Sequence, residues 1–369
     1  MISKITEKIK NEKVFIIAML LAICSSIIVK PKASYINFKV LVLLFNLMII
    51  IEAFKNLKVM DLIALEILSK CRNTRMVSMV FIILTFFSAM LVTNDVALLT
   101  FVPLAIYTYK ITKIDPMRTV ILQTLAANIG SSLTPMGNPQ NLFLFTHYNI
   151  NSVQFFSATI PFVALGLVWI LILNRKVHKK SIKIKLREVK VEDKKRILVY
   201  SILFVLVVAS VFGLVSYRYT FVAVVFSIIF CDRHLLKEID YFLLATFICF
   251  FIFIGNISNI EIIGNYLRKF LAMQHMPYFS SIILSQVVSN VPCAILVAGF
   301  TNNWREVLLG VNIGGMGTLI ASLASLISYK IYVSENKGKN REYLKEFNIY
   351  NFFSLIILGT ITYIIYIYS

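Results

Sequence analysis

Apolar runs recur along the whole chain, separated by short polar stretches. A run of roughly 17–25 apolar residues is long enough to cross a bilayer as a helix. On this pattern, spans are predicted at 14–29, 36–54, 119–147, 157–174, 197–215, 219–231, 239–257, 304–332 and 349–367. Two of them are interrupted by Gly-rich polar segments, NIGSSLTPMGNPQNL (128–142) and NIGGMGTLIASLASL (312–326). Segments 76–110 and 278–301 instead predict helical hairpins, breaking at the polar tips of LVTNDVALLTFVPL (91–104) and SQVVSNVPCAILVAG (285–299). Arms of about ten residues in the second hairpin reach roughly 15 Å, half the hydrocarbon core, so it must be re-entrant. A helix broken inside lipid is tolerated only where protein or a water-filled cavity satisfies the freed backbone groups. Paired breaks in two hydrophobic halves point to the binding site of a secondary transporter.

The halves correspond in order. Residues 36–54 align without gaps on 239–257, Asn94 matches Asn290, and Asn128, Ile129, Gly130, Thr134 and Leu142 match Asn312, Ile313, Gly314, Thr318 and Leu326. Stretches 57–71 and 259–271, ahead of each hairpin, read as amphipathic interfacial helices. The organisation is thus an N-terminal span (1–35), repeat 1 (36–174), a basic loop (175–196), linking spans (197–238) and repeat 2 (239–369). Five crossings separate Ile36 from Ile239, and an odd number inverts the second repeat relative to the first. The predicted fold class is an all-α polytopic membrane protein of two inverted repeats, each with a re-entrant hairpin and a discontinuous transmembrane helix.

Composition agrees: 59% of the 369 residues are hydrophobic and 15% charged, against about 25% charged in soluble domains. The formal charge of +19 would suggest a nucleic-acid partner in a soluble chain. Here most Lys and Arg fall in loops on one side, as the positive-inside rule expects, which puts the N-terminus in the cytoplasm and the C-terminus at Ser369 outside the cell membrane. The block RKVHKKSIKIKLREVKVEDKKR (175–196) becomes a cytoplasmic, lipid-facing loop, and no nucleic acid is expected. Cys24, Cys71, Cys231, Cys249 and Cys293 have neither metal nor disulfide spacing. No resident metal or other cofactor is called for.

At each tip one helix ends with its carbonyls and the next begins with free N–H groups, so a single turn can attract a cation on one side and an anion on the other. Thr93, Asn94 and Asp95 form the first tip, and Ser289, Asn290 and Val291 the second. The breaks would complete each cage, since small residues admit close backbone approach and freed carbonyls are hard oxygen ligands. Asp95 is a carboxylate deep in the membrane, expected to bind a cation or proton or else to pair with nearby backbone N–H groups. Glu52 lies where it can snorkel to water. Asn138, Pro139 and Asn141 form either a ligand-facing loop or a Pro kink with local caps. Candidate cation ligands are Thr93, Asn94, Asp95, Gly130, Ser289, Asn290 and Gly314. Candidate substrate ligands are Thr93, Asn94, Thr134, Asn138, Pro139, Asn141, Ser289, Asn290 and Thr318.

At these motifs the chain resembles the ion transporter superfamily, in particular ArsB/NhaD-type permeases and their citrate and divalent-anion/sodium symporter relatives. The divalent-anion symporters carry a Ser-Asn-Thr tip in both hairpins, which implicates Thr93, Asn94, Ser289 and Asn290; the broken-helix glycines of the family fall on Gly130, Gly137 and Gly314. Asp95 and Val291 depart from that pattern, and a fixed negative charge there favours a coupling cation or proton. The resemblance further implies an elevator in which 76–147 and 278–332 slide against the remaining spans, and a homodimer. The expected function is secondary transport of a small inorganic or organic anion, coupled to Na+ or H+. Alternatives are a Na+/H+ antiporter using Asp95 and an arsenite efflux permease. A membrane-embedded enzyme would need paired carboxylates, a Ser-Lys or Ser-His arrangement or facing metal ligands, which the chain does not offer.

Overall fold

The computed structural model describes residues 12–68, 71–111, 114–181 and 193–368. Most of the basic loop 175–196, positions 69–70 of the stretch 57–71, the residues before 12 and Ser369 lie outside the described residues. All regular structure described is helical, apart from an isolated antiparallel bridge between Asn73 and Ser181.

Two helices, α1 (Lys13–Ile28) and α2 (Phe38–Asn56), precede the short α3 (Val59–Leu68). The first hairpin is α4 (Thr74–Val92) and α5 (Asn94–Ile111), and the first broken helix is α6 (Met117–Ser131) and α7 (Pro139–His147). After α8 (Ser152–Asn174) come α9 (Lys194–Val211) and α10 (Tyr217–Cys231). The order then recurs: α11 (Tyr241–Ser258), short α12 (Glu261–Leu271), hairpin α13 (Met276–Val288) and α14 (Asn290–Ala298), broken helix α15 (Trp304–Gly314) and α16 (Leu323–Glu335), and α17 (Asn340–Thr362). The last helix starts nine residues before the predicted 349, because its first turns are amphipathic and too polar to register as a span.

Local chemistry sets these boundaries. Asn37, Asn73, Asn138, Asn151, Asp193, Asp240 and Asn303 each accept a backbone N–H in the first turn of the helix they precede, satisfying donors that no helix can satisfy itself. Pro139 stands at the first position of α7, where its missing N–H costs nothing. The arms of the second hairpin have 13 and 9 residues, about 20 and 14 Å at 1.5 Å per residue, short of a core of about 30 Å. Those of the first, with 19 and 18 residues, approach the full thickness.

Four described helices, Thr74–Val92, Ser152–Asn174, Tyr241–Ser258 and Asn340–Ile365, are long and apolar enough to cross a membrane. Apolar side chains line the outside: Ile17, Leu20, Ile23 and Ile27 on α1, Leu198, Ile202 and Val205 on α9, and Ile349, Phe353 and Ile356 on α17 are all exposed. A soluble surface does not carry such continuous apolar rows, whereas lipid requires them. At the centre the pattern inverts. Every residue of α6 except Arg118 is buried, including Thr119, Gln123, Thr124, Asn128 and Ser131. The protein is a multi-pass membrane protein with an apolar rim and a polar heart.

The helices fall into two packing groups. In one, Asn256 of α11 donates to Ser25 and Ser26 of α1 at 3.1 Å, and Phe45 and Phe54 of α2 meet Phe221 of α10 and Phe204 of α9. In the other, hairpins and broken helices also hold α8 and α17: Trp169 donates to Ser354 at 2.9 Å, Thr159 to the Leu133 carbonyl, and Tyr278 to the Gly359 carbonyl at 2.8 Å. The groups touch through rings, with Phe143 of α7 against Phe247 and Phe251 of α11, and through aliphatic contacts such as Gly299 against Ile254.

Inside the second group α6 lies directly on α4. A Cβ at Gly130 would sit 2.3 Å from the Phe86 carbonyl oxygen, and one at Gly314 would meet Ser285 Oγ at 2.7 Å and Ile282 Cα at 3.1 Å. Phe86 corresponds to Ile282 in the register that pairs Asn94 with Asn290. These glycines permit helix contact, and the backbone oxygen facing Gly130 cannot move aside. Gly130→Ala is therefore expected to destabilise the protein by about 1–3 kcal/mol, read as a lower melting temperature in detergent; an unchanged melting temperature would contradict this packing.

Candidate functional site

Both hairpins turn on one residue of the same conformation. Thr93 has φ 75° and ψ 153°, and Ser289 has φ 74° and ψ 153°. This region is populated almost only by glycine and costs a residue with a side chain on the order of 1–3 kcal/mol. Two hydroxyl residues held there by the surrounding structure mark both tips.

The next residue fastens each tip to its own break. The Asn94 N–H donates to the Gly137 carbonyl at 3.1 Å, and the Asn290 N–H to the Ala321 carbonyl at 2.9 Å. Thr134 Oγ1 donates to the Met90 carbonyl, and Thr318 Oγ1 to the Gln286 carbonyl at 3.0 Å. Each bond of the first half maps onto one of the second through the alignment of Asn94 with Asn290 and Asn128 with Asn312.

The breaks also bond to each other, crosswise. Asn138 Nδ2 donates to Asn312 Oδ1 at 3.2 Å, and Ser322 Oγ to Asn128 Oδ1 at 3.0 Å. In return Asn312 Nδ2 donates to Asn141 Oδ1 at 2.7 Å, and Asn128 Nδ2 to Ser325 Oγ at 3.4 Å. The amide at the end of each first half-helix thus meets the N-terminal turn of the other break's second half-helix. A path of contacts joins the tips: Asn94 Nδ2 lies 3.5 Å from Asn128 Oδ1, Asn128 Nδ2 donates to the Gly315 carbonyl at 3.2 Å, and Asn290 Nδ2 packs on Gly315.

A cavity of about 260 Å³ opens beside the first tip. Thr93, Asp95, Asn138 and Pro139 line it, together with Glu52 and Lys55 near the end of α2 and Glu238 and Asp240 just before α11. Glu52 and Lys55 form an ion pair at 2.6 Å, and Asn56 Nδ2 donates to Glu238 at 2.7 Å. Asp95 Oδ1 and Asn94 Oδ1 are buried without a hydrogen-bond partner. A carboxylate oxygen without a protein partner at a cavity wall is open to a proton, a cation or water entering the cavity. Ser289 and Asn290 do not line this cavity.

The expected ligand set therefore divides. Thr93, Asn94, Asp95, Ser289 and Asn290 stand at the tips, and Asn138 and Pro139 at the cavity wall. Thr134 and Thr318 spend their hydroxyls tying breaks to hairpins. Asn141 is fully buried, and its side chain reaches the Ser131, Ser132 and Thr134 carbonyls at 3.1–3.4 Å while accepting from Asn312. The Asn141 amide is engaged within the protein, where it satisfies carbonyls freed by the break. Gly130 and Gly314 serve helix contact. The residues that sequence reasoning left out are Asn128 and Asn312. Their matching places near the ends of the two buried first half-helices, each with an amide side chain, were the available signal. Glu238 and Asp240 carried no signal, since only the fold brings them beside Asp95.

A polytopic helical membrane protein with two strained tips joined through a buried amide network has the architecture of a membrane transporter. Residues 1–303 match the citrate transporter family, and the chain belongs to that family. It is 37% identical over 300 residues to an uncharacterized transporter of Methanocaldococcus jannaschii, spanning 80% of this chain and 81% of that one. The inner membrane protein YbiR of Escherichia coli is 25% identical over 344 residues, 91% of this chain and 90% of its own length. The human P protein is 26% identical over 161 residues, 40% of this chain and 19% of that protein. The chain is a transporter of this family and not an enzyme.

Replacing the tip residues separates conformation from chemistry. Thr93→Gly and Ser289→Gly should leave the melting temperature equal or higher, because relief of about 1–3 kcal/mol of strain offsets a glycine entropy cost of about 0.5–1 kcal/mol. Transport should fall in both. Undiminished transport would remove the hydroxyls from the site.

Proposed function

We propose that the protein is a secondary active transporter of a small anion, of the citrate or dicarboxylate class or an inorganic oxyanion, bound between the Thr93–Asn94 and Ser289–Asn290 tips and driven by a cation or proton at Asp95. The observation that carries this reading is the matched pair of tips, each strained at one hydroxyl residue and each pinned through its asparagine to its own break. Helix ends of both polarities at one turn suit an anion and a cation side by side. Family membership supports an anion as the cargo.

The hydrogen bonds that recur under one alignment support two inverted repeats, with the N-terminus cytoplasmic, the C-terminus extracytoplasmic and the chain in the cell membrane. In that orientation the cavity at Asp95 opens toward the cytoplasm through Glu52, Glu238 and Asp240. The moving body is larger than the segments 76–147 and 278–332. It takes in α8 and α17, since both are hydrogen-bonded to the hairpin group, and the apolar contact between groups is the sliding surface. A homodimer through the other group completes the scheme.

Uptake by proteoliposomes under imposed gradients tests the site. Asn94→Ala and Asn290→Ala should each lower anion flux at least about 10-fold, the equivalent of about 1.4 kcal/mol in the rate-limiting barrier, in protein that remains folded. Unchanged flux in both would refute the site.

The unpartnered Asp95 oxygen favours a second reading, a cation/proton antiporter with no anionic cargo. Asp95→Asn then abolishes cation exchange and its pH dependence. On the anion reading the same substitution leaves anion binding intact and uncouples it from the gradient.

A further inference from the structure

We infer that Gln286 is a built-in substitute for a coupling cation: its side-chain amide fills the carbonyl cage of the second break, so this half of the protein binds no sodium. The inference rests on the reading of the tips as ion sites.

Freed carbonyls of a broken helix can ligate a hard cation, provided they point at a common, open centre. In the second break that centre is taken. Gln286 Nε2 donates to the Gly314 carbonyl at 2.8 Å and to the Met316 carbonyl at 3.1 Å, and lies 3.1 Å from the Ile282 carbonyl of its own helix. Its Oε1 accepts the Thr318 N–H at 3.0 Å, while its backbone carbonyl accepts from Thr318 Oγ1. Both ends of the amide are thus engaged. The backbone is shaped around it: Gly317 has φ 105°, and a Cβ there would fall 2.2 Å from Gln286 Oε1. An –NH2 group carries partial positive charge and aims its hydrogens at the oxygens, as a cation would aim its field. The residues present do not fit an added Na+.

The alignment gives the contrast. Met90 occupies the matching place in the first hairpin, and its thioether cannot make these bonds. There the break is closed from another position, by Asn141 Nδ2 on the Ser131, Ser132 and Thr134 carbonyls. The first tip alone also carries a carboxylate, Asp95, against Val291 in the second. Ion coupling is consequently one-sided, with a single cation or proton at the Asp95 side.

The test measures melting temperature in detergent, with Na+ exchanged for choline and no anionic cargo present, so failure of anion transport leaves it readable. Asp95→Asn removes the first-tip site and should melt at the same temperature in both salts. Asp95→Asn combined with Gln286→Glu puts a carboxylate among the same carbonyls and should gain about 2–4 °C in Na+, the shift of a site occupied at several times its Kd. Should that protein not fold, Gln286→Ser in the Asp95→Asn background frees the same carbonyls and is read in the same way. Sodium stabilisation persisting in Asp95→Asn alone would overturn the inference, as would a folded Gln286 variant indifferent to Na+.

Discussion

A membrane interior contains no water to satisfy an interrupted helix, so each break must find its hydrogen bonds within the protein. This chain breaks two helices, satisfies freed carbonyls through Asn141, Gln286 and the tip N–H groups, and braces the two breaks against each other with exchanged asparagines. Asn128 and Asn312, each near the end of a first half-helix, bond to the N-terminal turn of the other's partner half-helix. Each of these side chains finds a partner on the other break. Removing one partner would leave a buried amide unpaired, a loss larger than the net worth of the bond it made. The tips inherit their positions from this brace, since Asn94 and Asn290 are fastened to carbonyls of the same breaks.

Much of the architecture was legible in the residues, for physical reasons that can be named. Bilayer thickness imposes long apolar runs, so spans such as 157–174 and 239–257 stand out, and Gly-Asn-Pro clusters cannot continue a helix. Helix caps then fix the ends, as Asn73 and Asn138 do. The candidate site was legible in its position more than in its bonding. Thr93, Asn94, Ser289 and Asn290 interrupt apolar runs and were visible for that reason. The roles of Thr134, Asn141 and Thr318 were not, because a polar residue looks the same in sequence whether its bonds serve a ligand or the fold. Glu238 lies far from Asp95 in sequence, and only packing brings them to one cavity.

The two halves share a frame and differ where chemistry matters. Backbone contacts, tip strain and the crossed amides recur, whereas Asp95 faces Val291 and Met90 faces Gln286 across the alignment. A repeated scaffold fixes geometry twice, leaving individual side chains free to assign different tasks to its two ends. The first end carries the carboxylate Asp95, and the second carries the amide Gln286.

The exchanged asparagines can be tested by a double-mutant cycle on melting temperature with Asn312→Ala and Asn138→Ala, and a second cycle with Asn128→Ala and Ser322→Ala. Residues in direct contact couple by roughly 0.5–3 kcal/mol, while independent sites add within about 0.3–0.5 kcal/mol. Clear coupling of the same sign is expected in both cycles. Additive effects in both would contradict the crossed brace on which the fold and the site depend.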